Sequence, residues 1–140
     1  MWSYIWPIAL VVLANTFYNI ITKSTPSDVN AFLSLSITYI VAAAASFAAY
    51  LLTGGHKLSE ELPKLNWTAF ALGICIIALE VGYIYVYRAG WKVNTGSLAA
   101  NISLACVLAV VGFLLYRESL SFKQVLGMLL CTGGLVLITL

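Results

Sequence analysis

The stretch WTAFALGICIIALEVGYIYVY, Trp67–Tyr87, decides the fold. It holds 21 residues and a single acidic or basic side chain, Glu80. A helix needs roughly 17–25 predominantly apolar residues to cross a bilayer. Four further runs of this kind lie on either side of it, at about Tyr4–Thr22, Pro26–Leu52, Val93–Tyr116 and Phe122–Leu140. None alternates strictly between apolar and polar residues, which disfavours a transmembrane barrel. Without water to bond backbone groups in the hydrocarbon, helices are the spans that remain. The expected fold is an all-α polytopic membrane protein with five transmembrane helices, residues 1–140 forming one domain.

The composition leads to the same class. The chain is 62% hydrophobic and 9% charged, with a mean hydropathy of +0.99. Soluble domains run at about 45–50% apolar and about 25% charged, so a soluble globular domain, a disordered chain and a disulfide scaffold are all excluded. Seven Lys and Arg scattered singly make no basic face for nucleic acid. Cys75, Cys106 and Cys131 each lie inside an apolar run and read as small core residues. His56 is the lone histidine and sits in a loop, so there is no metal-ligand spacing. No Walker loop, Ser–His–Asp set or catalytic carboxylate pair is present, and the chain is expected to be neither an enzyme nor dependent on a cofactor.

The breaks between runs carry helix-end signals. Thr25-Pro26-Ser27-Asp28 has the capping-box pattern with Pro26 at the first helical position, and Ser121-Phe122-Lys123-Gln124 has it again. Gly54-Gly55 is expected to stop the second run, and Ala89-Gly90 to part the third from the fourth. The longest loop is expected from Gly54 to Asn66. Trp2, Trp6, Trp67, Trp91 and Tyr116 lie near run ends, where amphipathic rings prefer the interface. Arg88 and Lys92 suit the headgroups, and Arg117 and Glu118 suit a solvated pair there.

Five spans place the termini on opposite sides. The N-terminal side receives Lys57, Lys64, Arg117 and Lys123, and the other side Lys23, Arg88 and Lys92. Four against three is almost no orientation signal. Either the orientation is fixed by a weak bias or a partner, or the chain inserts both ways and pairs head to tail. The second arrangement rebuilds an inverted-repeat transporter from one short chain.

Polar residues inside the runs suggest transport. Asn15, Tyr18, Asn19 and Thr22 share one face of the first run at helical spacing. The second run carries Ser36, Tyr39, Ser46 and Tyr50 along a stripe, the third Glu80, Tyr83 and Tyr87, and the fourth Asn94, Ser97 and Asn101. A charge at a helix centre costs about 2.5–3.5 kcal/mol on insertion scales, so such residues are functional candidates by default. Glu80 is the candidate for proton coupling and substrate contact, since a lone carboxyl there can trade a proton for a cation. Tyr83 and Tyr87 offer aromatic surface to organic cations. Asn15, Asn19, Tyr39, Tyr83, Tyr87, Ser97 and Asn101 are the expected cavity lining. Gly127, Cys131 and Gly134 on one side of the fifth run are candidates for close dimer packing.

The segment Tyr116-Arg117-Glu118-Ser119-Leu120-Ser121-Phe122-Lys123-Gln124-Val125-Leu126-Gly127, followed by Gly133-Gly134-Leu135-Val136-Leu137, resembles the end of an EamA-type repeat of the drug/metabolite transporter superfamily. The pattern is an apolar helix ending in an acid, a Leu–Ser turn, then Gln, Gly and a late Gly. Asn15 and the stretch Thr95–Ser103 are compatible with it. Most relatives carry two five-helix halves in inverted orientation, and this chain looks like one half. The resemblance implies a homodimer of two such units that moves a small metabolite by alternating access. Four-helix relatives in the small multidrug resistance family carry their membrane glutamate in the first helix. Here that helix has Asn15 and Asn19, and the acid is Glu80 in the third run.

The combined expectation is a multi-pass protein of the bacterial inner membrane. It is expected to act as an antiparallel homodimer and a proton-coupled antiporter of a small metabolite or organic cation. The alternatives are a non-transporting accessory subunit of a lipid-modifying or flippase complex, and an obligate heterodimer with a sister half.

Overall fold

The computed structural model describes residues 2–54, 58–119 and 121–139. The expectations for Gly55, His56, Lys57 and Leu120 lie outside the described residues. Every regular element within them is helical: α1 Trp2–Lys23, α2 Ala31–Leu52, α3 Leu58–Glu61, α4 Trp67–Arg88, α5 Val93–Leu115 and α6 Phe122–Thr139, with a 3-10 turn at Leu62–Lys64. Helices α1, α2, α4 and α5 are each long and apolar enough to cross a membrane. Helix α6, at 18 residues, is apolar but shorter.

The helix ends correct one expectation and bear out others. Helix α2 does not begin at Pro26. Residues 26–29 form a turn, and Asn30 is the cap, its Oδ1 accepting from the backbone N–H of Phe32 at 2.9 Å and of Leu33 at 3.3 Å. An extended Asn30 supplies the acceptor that the first turn lacks. The second capping box forms as read: Gln124 Nα donates to Ser121 Oγ at 3.3 Å, and Ser121 Nα donates to Gln124 Oε1 at 2.8 Å. Gly54 and Gly90 end their helices at φ 93° and 94°, a region that favours glycine. The stretch expected as a continuous loop after Gly54 contains α3 and the 3-10 turn, tied by Lys64 Nζ to Glu61 Oε1 at 2.7 Å.

The chain divides into two compact units. One comprises residues 24–88. In it α2 packs on α4 through Ala31, Leu35 and Ile84, with Tyr39 and Val81 against them. Arg88 donates from Nη2 to the carbonyls of Pro26 at 3.2 Å and Val29 at 2.5 Å. A cation in the last turn of α4 suits the negative end of the helix dipole, and here it also holds the chain entering α2.

The other unit comprises residues 1–23 and 89–140. In it α5 packs on α1 and on α6. Lys23 Nζ donates to the Trp91 carbonyl at 3.0 Å, fastening the end of α1 to the approach to α5. The Cys106 thiol and Thr132 hydroxyl meet at 3.6 Å between α5 and α6.

Among the described residues the buried apolar set is only Ala31, Leu35, Ile84 and Tyr87, while Leu52, Phe122 and Tyr4 are each at least 80% exposed. In water such a surface would be untenable. Lipid tails are as apolar as leucine, so membrane helices gain little by hiding apolar side chains from them. The hydroxyls on α2 follow the same logic. Ser36 donates to the Phe32 carbonyl at 2.8 Å and Ser46 to the Ala42 carbonyl at 2.7 Å. The helix satisfies its own polar groups.

Candidate functional site

Polar side chains gather in two places, one in each unit. In the unit of α1, α5 and α6, Asn15 and Asn19 from α1 and Ser97 and Asn101 from α5 line one cavity of about 420 Å³, joined by Thr16 and Asn94. The residues lie four apart on each helix, so each helix contributes one wall. Asn19, 3% exposed, is the buried polar residue among the described ones. Its Nδ2 donates to the Asn15 carbonyl at 2.7 Å and to Asn15 Oδ1 at 2.8 Å. Across the cavity, Asn101 Nδ2 donates to the Ser97 carbonyl at 2.9 Å and to Ser97 Oγ at 3.2 Å.

These bonds spend both N–H donors of Asn19 and of Asn101 within their own helices. An Asn side chain also carries an oxygen with two lone pairs, and Asn15 and Asn94 add further amides to the lining. The cavity is therefore a neutral polar surface. It suits hydrogen-bonding groups on a small polar solute, and no ionised lining residue supplies a counter-charge.

The second place is in the unit of α2 and α4. Glu80 is partly buried on α4. The buried Tyr39 hydroxyl of α2 faces its carboxyl, though the pair falls short of full hydrogen-bond geometry. One turn along α4, Tyr83 and Tyr87 lie with ring centroids 6.2 Å apart and planes tilted by 31°. Tyr87 is 5% exposed. A carboxyl faced by a phenol and followed by two aromatic rings can hold a proton or meet an organic cation.

The expected cavity lining is thus apportioned between the units. Asn15, Asn19, Ser97 and Asn101 come together in one, and Tyr39, Glu80, Tyr83 and Tyr87 in the other. Thr16 was missed; its hydroxyl donates to the Val12 carbonyl at 2.8 Å, and position i+1 from Asn15 gave no reason to include it. Of the residues expected at a dimer contact, Gly127 and Cys131 line a groove between α5 and α6. A methyl group on Gly127 or Gly134 would meet nothing within 4 Å.

The family model of the EamA-like transporters matches residues 2–140. The chain belongs to the EamA-like transporter family. No curated protein and no solved structure matches it significantly. Members of the EamA-like family are transporters, not enzymes, and the four long apolar helices suit a multi-pass membrane protein.

Proposed function

We propose that this EamA-like chain is a half-size secondary transporter, working as an antiparallel homodimer in the bacterial inner membrane by alternating access. Its cargo is a small metabolite or organic cation exchanged against protons. Glu80 carries this reading. It is the single acidic or basic side chain well inside an apolar helix, and it faces a hydroxyl rather than a cation. When ionised it is an uncompensated charge, and a proton or a cationic solute relieves it. The two compete for one carboxyl, which is the elementary step of an antiporter.

In this reading α6 is the fifth span. Eighteen residues at 1.5 Å each extend about 27 Å, close to the hydrocarbon thickness of about 30 Å. The termini then lie on opposite sides. The near-balance of basic residues, four against three, supports insertion in both orientations. The amide cavity of Asn15, Asn19, Ser97 and Asn101 binds the polar part of the solute.

Reconstituted protein tests the reading in a pH-controlled solute screen. Uptake by the wild type should depend on the proton gradient, and Glu80→Gln should abolish that dependence. Equal rate and pH dependence in the two proteins overturns the coupling role. No transport by the purified chain overturns the homodimer. Single cysteines replacing Lys64 and Lys92 should each label from both sides of the membrane in cells; strict labelling from opposite sides overturns dual topology.

A further inference from the structure

The groove between α5 and α6 is separate from both groups of residues assigned above, apart from Asn101, which lines its far end and the amide cavity alike. It encloses about 590 Å³, within the roughly 300–1,000 Å³ of small-molecule sites. Its walls are largely apolar, with Ile102, Leu108 and Met128 among them, and among the described residues Glu118 is the one charged residue lining it. Arg117 and Lys123, the nearest cations in sequence, are not in the lining.

The backbone puts that carboxylate in the groove. Helix α5 closes with the Gly112 carbonyl accepting from Tyr116 Nα at 3.2 Å and from Glu118 Nα at 3.1 Å. The reversal passes through Arg117 at φ 55°, a left-handed conformation that is unfavourable for a residue with a Cβ. It folds Glu118 back along its own helix. The carboxylate then lies over the buried Gly112, where a Cβ would come within 2.7 Å of Glu118 Oε2. A negative group at the C-terminal end of a helix also opposes the helix dipole. Two local preferences are thus broken to aim one carboxylate along an apolar groove, and preferences of this kind are broken chiefly at functional sites.

We infer that the α5–α6 groove is a second binding site, for single-chain amphiphiles with a cationic head. The alkyl chain lies along Ile102, Leu108 and Met128, and the head meets the Glu118 carboxylate. The cationic head offsets both the unpaired carboxylate and the negative helix end. Selectivity for the cation comes from Glu118, the one charge among the described residues of the groove, and Gly112 leaves room for the carboxylate beside α5.

The native cysteines report on the site. Cys131 lines the groove and is exposed; Cys75, also exposed, is on α4 and does not line it. The intact chain in nanodiscs of zwitterionic lipid is alkylated with N-ethylmaleimide, and each thiol is followed by mass spectrometry. Decyltrimethylammonium should slow Cys131 alkylation at least fivefold and leave Cys75 unchanged, while decyl maltoside, with the same chain and a neutral head, should protect neither. Glu118→Gln, which keeps the side-chain shape, should abolish the protection. Glu80→Gln should retain it, which separates this groove from the transport reading. The inference is overturned if Cys131 reacts equally fast with the cation present, or if decyl maltoside protects as well. It is also overturned if Glu118→Gln stays protected or Glu80→Gln loses protection.

Discussion

Asn19 and Glu80 are both polar side chains set in long apolar helices, and the protein treats them differently. Asn19 is nearly fully buried, and its amide nitrogen donates twice to Asn15 on the same helix. Glu80 is only partly buried, and what faces it is the Tyr39 hydroxyl of another helix. A helix can satisfy an amide with its own backbone carbonyl one turn back, because the amide is a neutral donor. It cannot satisfy an ionised carboxylate that way, because the nearby backbone acceptors repel it and the N–H groups are in use. The amide is therefore complete within its unit, whereas the acid needs something from outside, either a proton or a cation.

That difference sets the order of effects. Glu80→Gln removes the group that needs an outside partner. It should cut proton-driven transport on the order of 100-fold, as loss of a proton-transferring group commonly does, and flatten the pH profile of what remains. Fluorescent pH and solute assays in proteoliposomes check both. A variant that keeps its pH profile would place Glu80 in the same class as Asn19. Asn101→Leu is expected to act next most strongly. It removes one cavity amide that meets solute, so KM should rise about tenfold, the worth of about 1.4 kcal/mol or one good hydrogen bond, with kcat retained. A fall in kcat at constant KM would move Asn101 out of the binding wall.

The helices were legible because lipid leaves so little choice. Runs of apolar length mark the spans, and the glycines at 54 and 90 mark where two of them end. The amide cluster was legible too, because spacing by four puts Asn15 with Asn19 and Ser97 with Asn101 on single faces. Asn30 was not, because Pro26 also suits a helix start, and only the backbone acceptor geometry separates the two. Nor was the inward turn of Glu118. It depends on Arg117 adopting a left-handed conformation and on Gly112 lying beneath, six positions earlier. Beside Arg117, the acid reads as half of a surface pair. What sequence conceals here is the direction of a side chain after a chain reversal, which no periodicity encodes.

The remaining effects are on stability and are smaller. Asn19→Ala removes two donated bonds from the amide cluster. Interhelical and intramembrane hydrogen bonds average about 0.6 kcal/mol and reach about 1.7. The loss should fall in that range by thermal unfolding in detergent, with the pH dependence of transport intact. A changed pH profile would mean that the amide cluster and the acid are not independent.

The smallest expected effect distinguishes the two helix starts. In the unit of α5 and α6, Ser121 and Gln124 bond reciprocally, as a capping box should. In the unit of α2 and α4, the box-like Thr25–Asp28 is bypassed and Asn30 accepts two backbone N–H groups. Asn30→Ala leaves those donors near the end of an apolar helix and should cost about 1 kcal/mol. Asp28→Ala should stay within about 0.5 kcal/mol, as surface substitutions away from such contacts do. The reverse ranking would move the start of α2 back to Pro26. It would also release the carbonyls of Pro26 and Val29, which a helix beginning there would need for itself and which now accept from Arg88. Unfolding of Arg88→Gln beside Asn30→Ala checks this. If Asn30 is the cap, the turn before α2 is free to take bonds from Arg88, and both variants should loosen the same end of the unit.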